Sequence, residues 1–340
     1  MLKLESKKNA AYIIAEIGQN HQGDLDMAKR YIEVFAHAGA DAVKFQMRDN
    51  KTLFSPEQLA RPYESENAFG PTYGEHREYL EFTPQQMREL KKVSEDNGVD
   101  FMCTAFDEVS LRHLHDMGVE IIKVSSFDLG NIPLVDKIIE TGIPFVISVG
   151  GGTTDLVTNF VNYLIERDAS FSLLHCVSHY PCPAESLALG RISELKAEFP
   201  GIQIGLSDHF NGILSGAIGY MLGAEVFEKH VTFDRSMKGT DHSFSLTEHG
   251  FRNFVRDINR TKLMCSSRLH EETGDEPVFK KLGKVLVARN DIAAGSLVDF
   301  ADLTSQIRGD GFAVRNSLLL KGRRWKKSYV AGETISVDEI

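Results

Sequence analysis

Cysteine is scarce in this chain: four in 340 residues (Cys103, Cys176, Cys182 and Cys265), scattered and forming no CxxC pair. In a chain of this size such cysteines are reduced core or loop thiols rather than a disulfide framework. Basic charge is also in deficit, since 38 Lys and Arg face 48 Asp and Glu and leave a formal net charge of -10. No surplus exists to neutralise a phosphate backbone, which removes nucleic acid as the default partner. A small anionic substrate needs only a local basic pocket and stays open. No stretch reaches the roughly 18 apolar residues of a membrane span. The opening MLKLESKKNAAYIIAEIG lacks the apolar run of a secretion signal. The expectation is a cytoplasmic protein with no membrane partner. The first strand-like run is followed by no G-x-G-x-x-G and contains no H-x-H, and H-E-x-x-H occurs nowhere. Dinucleotide binding and the common zinc hydrolase patterns lose their signatures.

What is present is a repeated alternation. Eight runs rich in Val, Ile and Phe occur at residues 11–18, 41–46, 99–106, 120–126, 144–150, 171–177, 203–209 and 225–232. Between them lie stretches with helical spacing, such as 25–39, 83–98 and 211–223, and a long helix is expected over 247–268. Thr83-Pro84 reads as a helix cap followed by proline in the first turn. Gly39, Gly98, Gly118, Gly142 and Gly223 sit where helices close before the next strand, as left-handed C-caps do. Apolar strands alternating with amphipathic helices imply parallel strands covered on both faces. Eight such units predict an α/β fold, a (β/α)8 TIM barrel, rather than an open doubly wound sheet. Residues 47–82 form an anomalously long connection, aromatic and charged, and so a candidate functional loop.

The expected domains are a barrel over 1–269, a polar linker over 270–282 and a small β-rich module over 283–340. The last has short strand-like runs and glycine turns at Ala294-Gly295 and Ala331-Gly332. A module this small has a marginal core and is expected to pack against something. Its run Arg323-Arg324-Trp325-Lys326-Lys327 fits a solvated strand edge better than a nucleic-acid patch.

Active sites of such barrels lie at the carboxyl ends of the strands. Those ends are unusually polar here: Glu16, Asn20 and His21; Lys44 and Gln46; Thr104; Lys123, Ser125 and Ser126; Ser148; His175 and Ser178; Asp208 and His209; Glu228, Lys229 and His230. Lys44 and Lys123 interrupt apolar strands, and alternation turns each away from its apolar neighbours. Two lysines entering one barrel mouth would make an anion site; a structural Lys–Glu pair is the rival reading. His209 and His230 end neighbouring strands and could share a catalytic first-row metal such as Mn2+ or Zn2+.

Taken together, the runs AEIGQNHQGDLDMAKR, GADAVKFQ, IKVSS, VISVGGG, LLHCVSHYP, IGLSDH, FEKHVTFD and KGTDHSFSL resemble the sialic acid synthases, in that family's order. The C-terminal stretch with GKVLVARNDIAAG and QIRGDG resembles the antifreeze-like (SAF) domain of the same family. The resemblance implies an N-acetylneuraminate-type, nonulosonate-forming transferase. Such an enzyme condenses phosphoenolpyruvate with N-acetylmannosamine, its 6-phosphate or a related sugar, with release of phosphate. It implies a divalent metal, Mn2+ first, with Mg2+ or Co2+ as alternatives, held by His209 and His230. Lys44 and Lys123 would hold phosphoenolpyruvate, with Gln46, Thr104, Ser126 and Ser148 completing that pocket. Glu16 would be the acid/base, and Tyr180 and Asp241 would lie around the sugar. Arg308 would reach the partner subunit's active site, which implies a domain-swapped homodimer. This chain departs from the pattern at Ser178-His179-Tyr180, where the family often has Asn-Ile-Tyr, and at Ser125 and Phe127. Its 47–82 insert resembles that of the animal-type enzymes, whose sugar is 6-phosphorylated. Arg61, His76 and Arg77 could serve that phosphate or form a surface salt-bridge loop.

Overall fold

The structure, a computed structural model, describes residues 2–266 and 276–339. The chain divides into two compact units, Met1–Cys265 and Ser266–Ile340. The expected boundary at 269/270 lies outside the described residues.

The first unit is a closed parallel barrel in which strands pair in sequence order and the eighth returns to the first. Its strands are β1 (Tyr12–Gly18), β2 (Ala42–Met47), β3 (Asp100–Ala105), β4 (Ile121–Val124), β5 (Phe145–Ser148), β6 (Phe171–Cys176), β7 (Ile204–Asp208) and β8 (Val226–His230). Seven lie inside the runs expected from sequence, and β2 extends one residue beyond its run, to Met47. Helices α1 (Leu25–His37), α5 (Pro84–Asp96), α6 (Glu108–Asp116), α7 (Ile132–Thr141), α8 (Thr154–Glu166), α9 (Arg191–Glu198), α10 (Leu214–Met221) and α11 (Glu248–Met264) alternate with them. Thr83 caps α5 reciprocally with Gln86. The five glycines expected as caps all have positive φ, between 66° and 107°. No described helix is long and apolar enough to cross a membrane.

Strand alternation sorts the side chains into two sets. Ile13, Val43, Cys103, Ile122, Ile147, Leu173, Ile204 and Phe227 face the helices and join the large core. Tyr12, Ile14, Ala42, Met102, Ile121, Val146, Leu174 and Val226 fill the barrel interior together with Leu4. Leu4 closes the amino-terminal end of the barrel, exchanging two backbone hydrogen bonds of 2.8 Å with the Gln203 amide. Gly205 is required in the tight interior: a Cβ there would lie 2.3 Å from Val226 O. The interior layer nearest the carboxyl ends is polar, and it forms the site described below.

The long connection is not loop throughout. It contains α2 (Asn50–Leu53), α3 (Pro56–Ala60) and α4 (Tyr73–Leu80), the last opened by a Thr72–Glu75 capping box. Local capping signals are present, but helices this short carry too little periodicity to be read from sequence.

The second unit, described by itself, begins with α12 (Pro277–Leu282), inside the stretch expected to be linker. Strands β9 (Lys284–Ala288) and β10 (Leu303–Ile307) form an antiparallel pair. Leu286, Ile292, Val298, Phe312, Leu320, Trp325, Tyr329 and Ile335 make its core. In the basic run around Trp325 the four charged residues are exposed and Trp325 alone is buried. Trp325 exchanges backbone hydrogen bonds with Gly295 and Ser296.

One expectation is corrected. Asp208 and Lys229 do not line the barrel mouth; they face the helices as a wholly buried ion pair at 2.6 Å. Asp208 also accepts from Ser215 Oγ, and Lys229 donates to Phe210 O. His175 is turned outward in the same way, and its Nε2 meets Leu187 O at 2.8 Å. Alternation explains all three, because their sequence neighbours Ser207, Glu228 and Cys176 take the inward positions. Breaking a buried pair by removing one partner strands the other charge. Lys229→Met is therefore expected to destabilise the barrel by about 3–5 kcal/mol in urea unfolding. An unchanged midpoint would mean that Asp208 is solvated without its partner.

Candidate active site

The interior polar layer opens into a cavity of about 850 Å³ at the carboxyl ends of the strands. Glu16, Lys44, Gln46, Thr104, Lys123, Ser126, Ser148, Tyr180, His209, His230 and Asp241 all line it. These are the predicted site residues of the barrel, supplied by all eight of its strands or the loops after them. Arg308 is the exception, since it belongs to the second unit. There it donates to Gln306 Oε1 at 2.8 Å, Gly332 O at 3.0 Å and Thr334 Oγ1 at 2.8 Å.

Four charges sit on the cavity floor, each less than 5% exposed: Glu16, Lys44, Lys123 and Glu228. Glu16 and Lys44 are register neighbours on β1 and β2, and Lys44 Nζ lies 2.8 Å from Glu16 Oε2. Lys44 is also 3.6 Å from Glu228 Oε2 and donates to Thr104 Oγ1 at 3.1 Å. So Lys44 is paired, as the rival reading required, while still facing the cavity. Lys123 differs: it donates to Ser148 Oγ at 2.7 Å and Val124 O at 2.9 Å. Among the described residues no carboxylate lies within ion-pair distance of Lys123.

Environment pushes the two carboxyls apart. Burial raises Glu16, with Lys44 opposing and the Glu228 charge adding to the rise. Burial also works to raise Glu228, but Lys123 and Lys44 together outweigh it and hold that group below the usual carboxylate range. Two neighbouring acids displaced in opposite directions are equipped for separate roles, one moving a proton and one remaining an anion. The orientation of Glu16 is built by a chain of hydrogen bonds. Gln46 Nε2 donates to Glu16 Oε1 at 2.7 Å, and Arg48 donates to Gln46 Oε1 at 2.6 Å. Arg48 is itself paired with Glu81 at 3.1 Å and lies 3.8 Å over the Phe106 ring.

His209 and His230 stand with ring centroids 5.4 Å apart, beside Tyr180 and Phe244. Burial lowers both, His209 to about 4 and His230 to about 3, so both imidazoles are neutral near pH 7. Neutral imidazole is the metal-ligating form. His209 Nδ1 meets Val177 O at 3.1 Å, which fixes the proton there and leaves Nε2 bare. His230 Nδ1 is buried without a hydrogen bond, 3.5 Å from Asp241 Oδ2. Among the described residues no group of three or more His, Cys, Asp or Glu is disposed to hold a metal. Two neutral neighbouring imidazoles, one with a bare Nε2 and one with an unpartnered Nδ1, are a donor set of the kind a divalent ion takes when solvent and substrate complete its shell.

Glu228 and Ser207 have no assigned role in the sequence reading, yet they form the fourth wall of the floor, joined at 2.8 Å. The available signal was parity: Glu228 is two residues before His230 and must share its face. Gln19, Arg48, Asn67, Tyr73 and Phe127 also line the cavity. Most of them come from the insert or strand-end loops, where parity carries no information. Of the insert residues considered for a phosphate, Arg77 lines the cavity, whereas Arg61 and His76 do not.

Comparison with known proteins gives concordant results. A model described as the NeuB family matches residues 31–269. N-acetylneuraminate-9-phosphate synthase from Homo sapiens is 38% identical over 88% of this chain and 84% of that protein. N,N'-diacetyllegionaminic acid synthase from Legionella pneumophila is 30% identical over 100% of this chain and 97% of that protein. A crystal structure of N-acetylneuraminic acid (sialic acid) synthetase from Leptospira borgpetersenii serovar Hardjo-bovis is 32% identical, with a TM-score of 0.67. It covers 79% of this chain and 90% of that chain.

If the two imidazoles hold the metal, His209→Ala and His230→Ala should each weaken Mn2+ binding by about tenfold or more. Electron paramagnetic resonance of free Mn2+ reads this without turnover, and wild-type binding in both variants would detach the metal from these histidines.

Proposed function

This chain belongs to the NeuB family, the sialic acid-type synthases that use phosphoenolpyruvate, and on that premise we propose an N-acylmannosamine-type sugar as its second substrate. The observation that carries the reading is the buried floor of Glu16, Lys44, Lys123 and Glu228, in one cavity with His209 and His230. Lys123, which has no carboxylate within ion-pair distance among the described residues, suits a substrate that brings its own carboxylate and phosphate.

In this reading Lys44 and Lys123 hold the carboxylate and phosphate of phosphoenolpyruvate, and they stay charged throughout. Thr104, Ser148, Gln46 and Ser126 complete the pocket with hydrogen bonds. Tyr180 and Asp241 orient the open-chain sugar so that its aldehyde carbon meets C3 of phosphoenolpyruvate. His209 and His230 would hold a divalent metal, Mn2+ first with Mg2+ or Co2+ as alternatives, whose chemistry there would be Lewis-acid polarisation of that aldehyde. The new bond joins C3 to the aldehyde carbon, whose oxygen takes a proton. C2, left electron-poor, accepts water, and Glu16 removes the proton of that water. The C2–O bond to phosphate then breaks, phosphate leaves with the bonding pair, the C2 hydroxyl gives up its proton to the departing phosphate, and C2 becomes the keto carbon of the sugar acid. Glu228 remains an anion and keeps the lysines in place when the substrate departs.

The remaining expectations stand as part of the proposal: a cytoplasmic homodimer, an SAF-type second unit, and Arg308 contacting the acyl group of the sugar in the partner's site. The support for Arg308 is the family resemblance of QIRGDG together with an exposed guanidinium on the second unit.

Phosphate release from phosphoenolpyruvate with Mn2+ tests the function across N-acetylmannosamine, its 6-phosphate, mannose 6-phosphate and 2,4-diacetamido-2,4,6-trideoxymannose. Release that depends on one of these sugars, with a product of the summed mass, is expected; silence across the panel would refute the assignment of a mannose-type acceptor. Lys123→Met should lower kcat/KM for phosphoenolpyruvate about 100-fold or more. A variant with the wild-type value would place the anion elsewhere.

A further inference from the structure

The chain between β8 and α11 leaves the barrel wall and returns to it at one place. Leu246 N donates to His230 O at 2.9 Å, Thr232 N donates to Leu246 O at 2.9 Å, and Val231 pairs with Leu246. Residues 231–246 therefore form an Ω-loop with a closed neck. Thr240 and Asp241 of this loop line the cavity. The Asp241 carboxylate stands between two groups: Oδ1 accepts from Thr240 Oγ1 at 2.8 Å, and Oδ2 lies 3.5 Å from His230 Nδ1.

A side chain from the turn after β1 reaches this neck. Asn20 is 2% exposed, and its Nδ2 donates to Val231 O at 2.8 Å and to Ser245 Oγ at 3.1 Å. The two amide hydrogens are thus committed to the two ends of the loop. Ser245 is fully buried and passes the contact on, since its Oγ donates to Asp241 O at 2.5 Å. Apolar side chains could fill both places without desolvating a carboxamide and a hydroxyl. Hydrogen bonds add direction, which packing does not, and the directed end of this chain of bonds is Asp241. The loop has other means of staying closed. Its neck keeps the backbone bonds above, Phe233 stacks on Tyr31 with ring centroids 3.9 Å apart, and His242 Nδ1 meets Thr232 Oγ1 at 2.7 Å. What Asn20 and Ser245 supply beyond these is the placement of one residue.

We propose that Asn20 and Ser245 are positioning residues that hold Asp241 toward the sugar acceptor and affect the reaction only through it. The proposal rests on the reading above in which Asp241 orients the sugar.

Ser245→Ala removes one oxygen from the chain of bonds, and Asn20→Ala removes both donors at its root. With a sugar of the panel that supports turnover, Ser245→Ala should lower kcat/KM for that sugar about tenfold, the effect of one lost hydrogen bond. Added to Asp241→Ala, the same substitution should cost no more than about a further twofold, because the group it acts through is gone. The KM for phosphoenolpyruvate should not move. Losses that multiply in the double variant, a raised KM for phosphoenolpyruvate, or unchanged sugar kinetics in Ser245→Ala would each overturn the proposal. Amide hydrogen exchange gives an answer without turnover. Residues 231–246 should exchange faster in both Asn20→Ala and Ser245→Ala, with the eight barrel strands as protected as in the wild type. Wild-type exchange across the loop in both variants rejects the positioning role, and so does exchange that rises equally in loop and strands. Failure of every sugar in the panel would refute the synthase reading instead, and the exchange result then decides the role of Asn20 and Ser245 by itself.

Discussion

The cluster of Glu16, Lys44, Lys123 and Glu228 is the constraint around which the barrel is arranged. Two acids and two bases lie on one floor, each almost fully withdrawn from water. Charges in such a place are expensive, and their mutual attraction often does no better than apolar packing would. The layer directly beneath them, Ile14, Ala42, Met102, Ile121, Val146, Leu174 and Val226, shows that apolar filling was available to the same strands. Stability therefore does not account for the polar layer. A ligand with two anionic groups does, because it would meet lysines already stripped of water and held by Thr104, Ser148 and Glu228. The cost of desolvation is met on folding rather than at the moment of binding.

The same strands carry a second buried pair, Asp208–Lys229, one residue out of phase with Ser207 and Glu228. Its chemistry is similar and its function is different. It ties β7 and β8 to each other and to Ser215 at the start of α10, with no access to the cavity. The contrast shows why residue type alone is a poor guide to catalytic role. A lysine on a barrel strand is either part of the site or part of the wall, according to a single step of parity.

The insert after β2 adds what the barrel cannot supply from its strands. Its two ends are locked to the site: Arg48 reaches Gln46 and through it Glu16, and Glu81 closes on Arg48 and Gln19. The orientation of the acid/base candidate thus depends on hydrogen bonds that pass through the insert. The mouth of the cavity and its floor thus share one polar network.

Much of this was legible in the sequence. Eight apolar runs, their helical partners and the glycine caps determined the barrel, since each signal arises from local backbone geometry and a two-layer burial pattern. Lys44, Lys123, His209 and His230 were legible for a related reason: a polar residue inside an apolar strand of a barrel must face either the interior or the helices. Which of the two it faces depends on where the strand begins, and that is a tertiary fact. Asp208, Lys229 and His175 fell on the wrong side of it. Glu228 gained its place only when β7 and β8 were set in register with Ser207. The insert was legible as unusual but not as structured, because helices of four to eight residues are stabilised by their docking rather than by their own periodicity. Only the folded chain could show that Arg48 is spent on Glu81 while Arg77 is not. Charge pairing across elements far apart in sequence is decided by three-dimensional proximity.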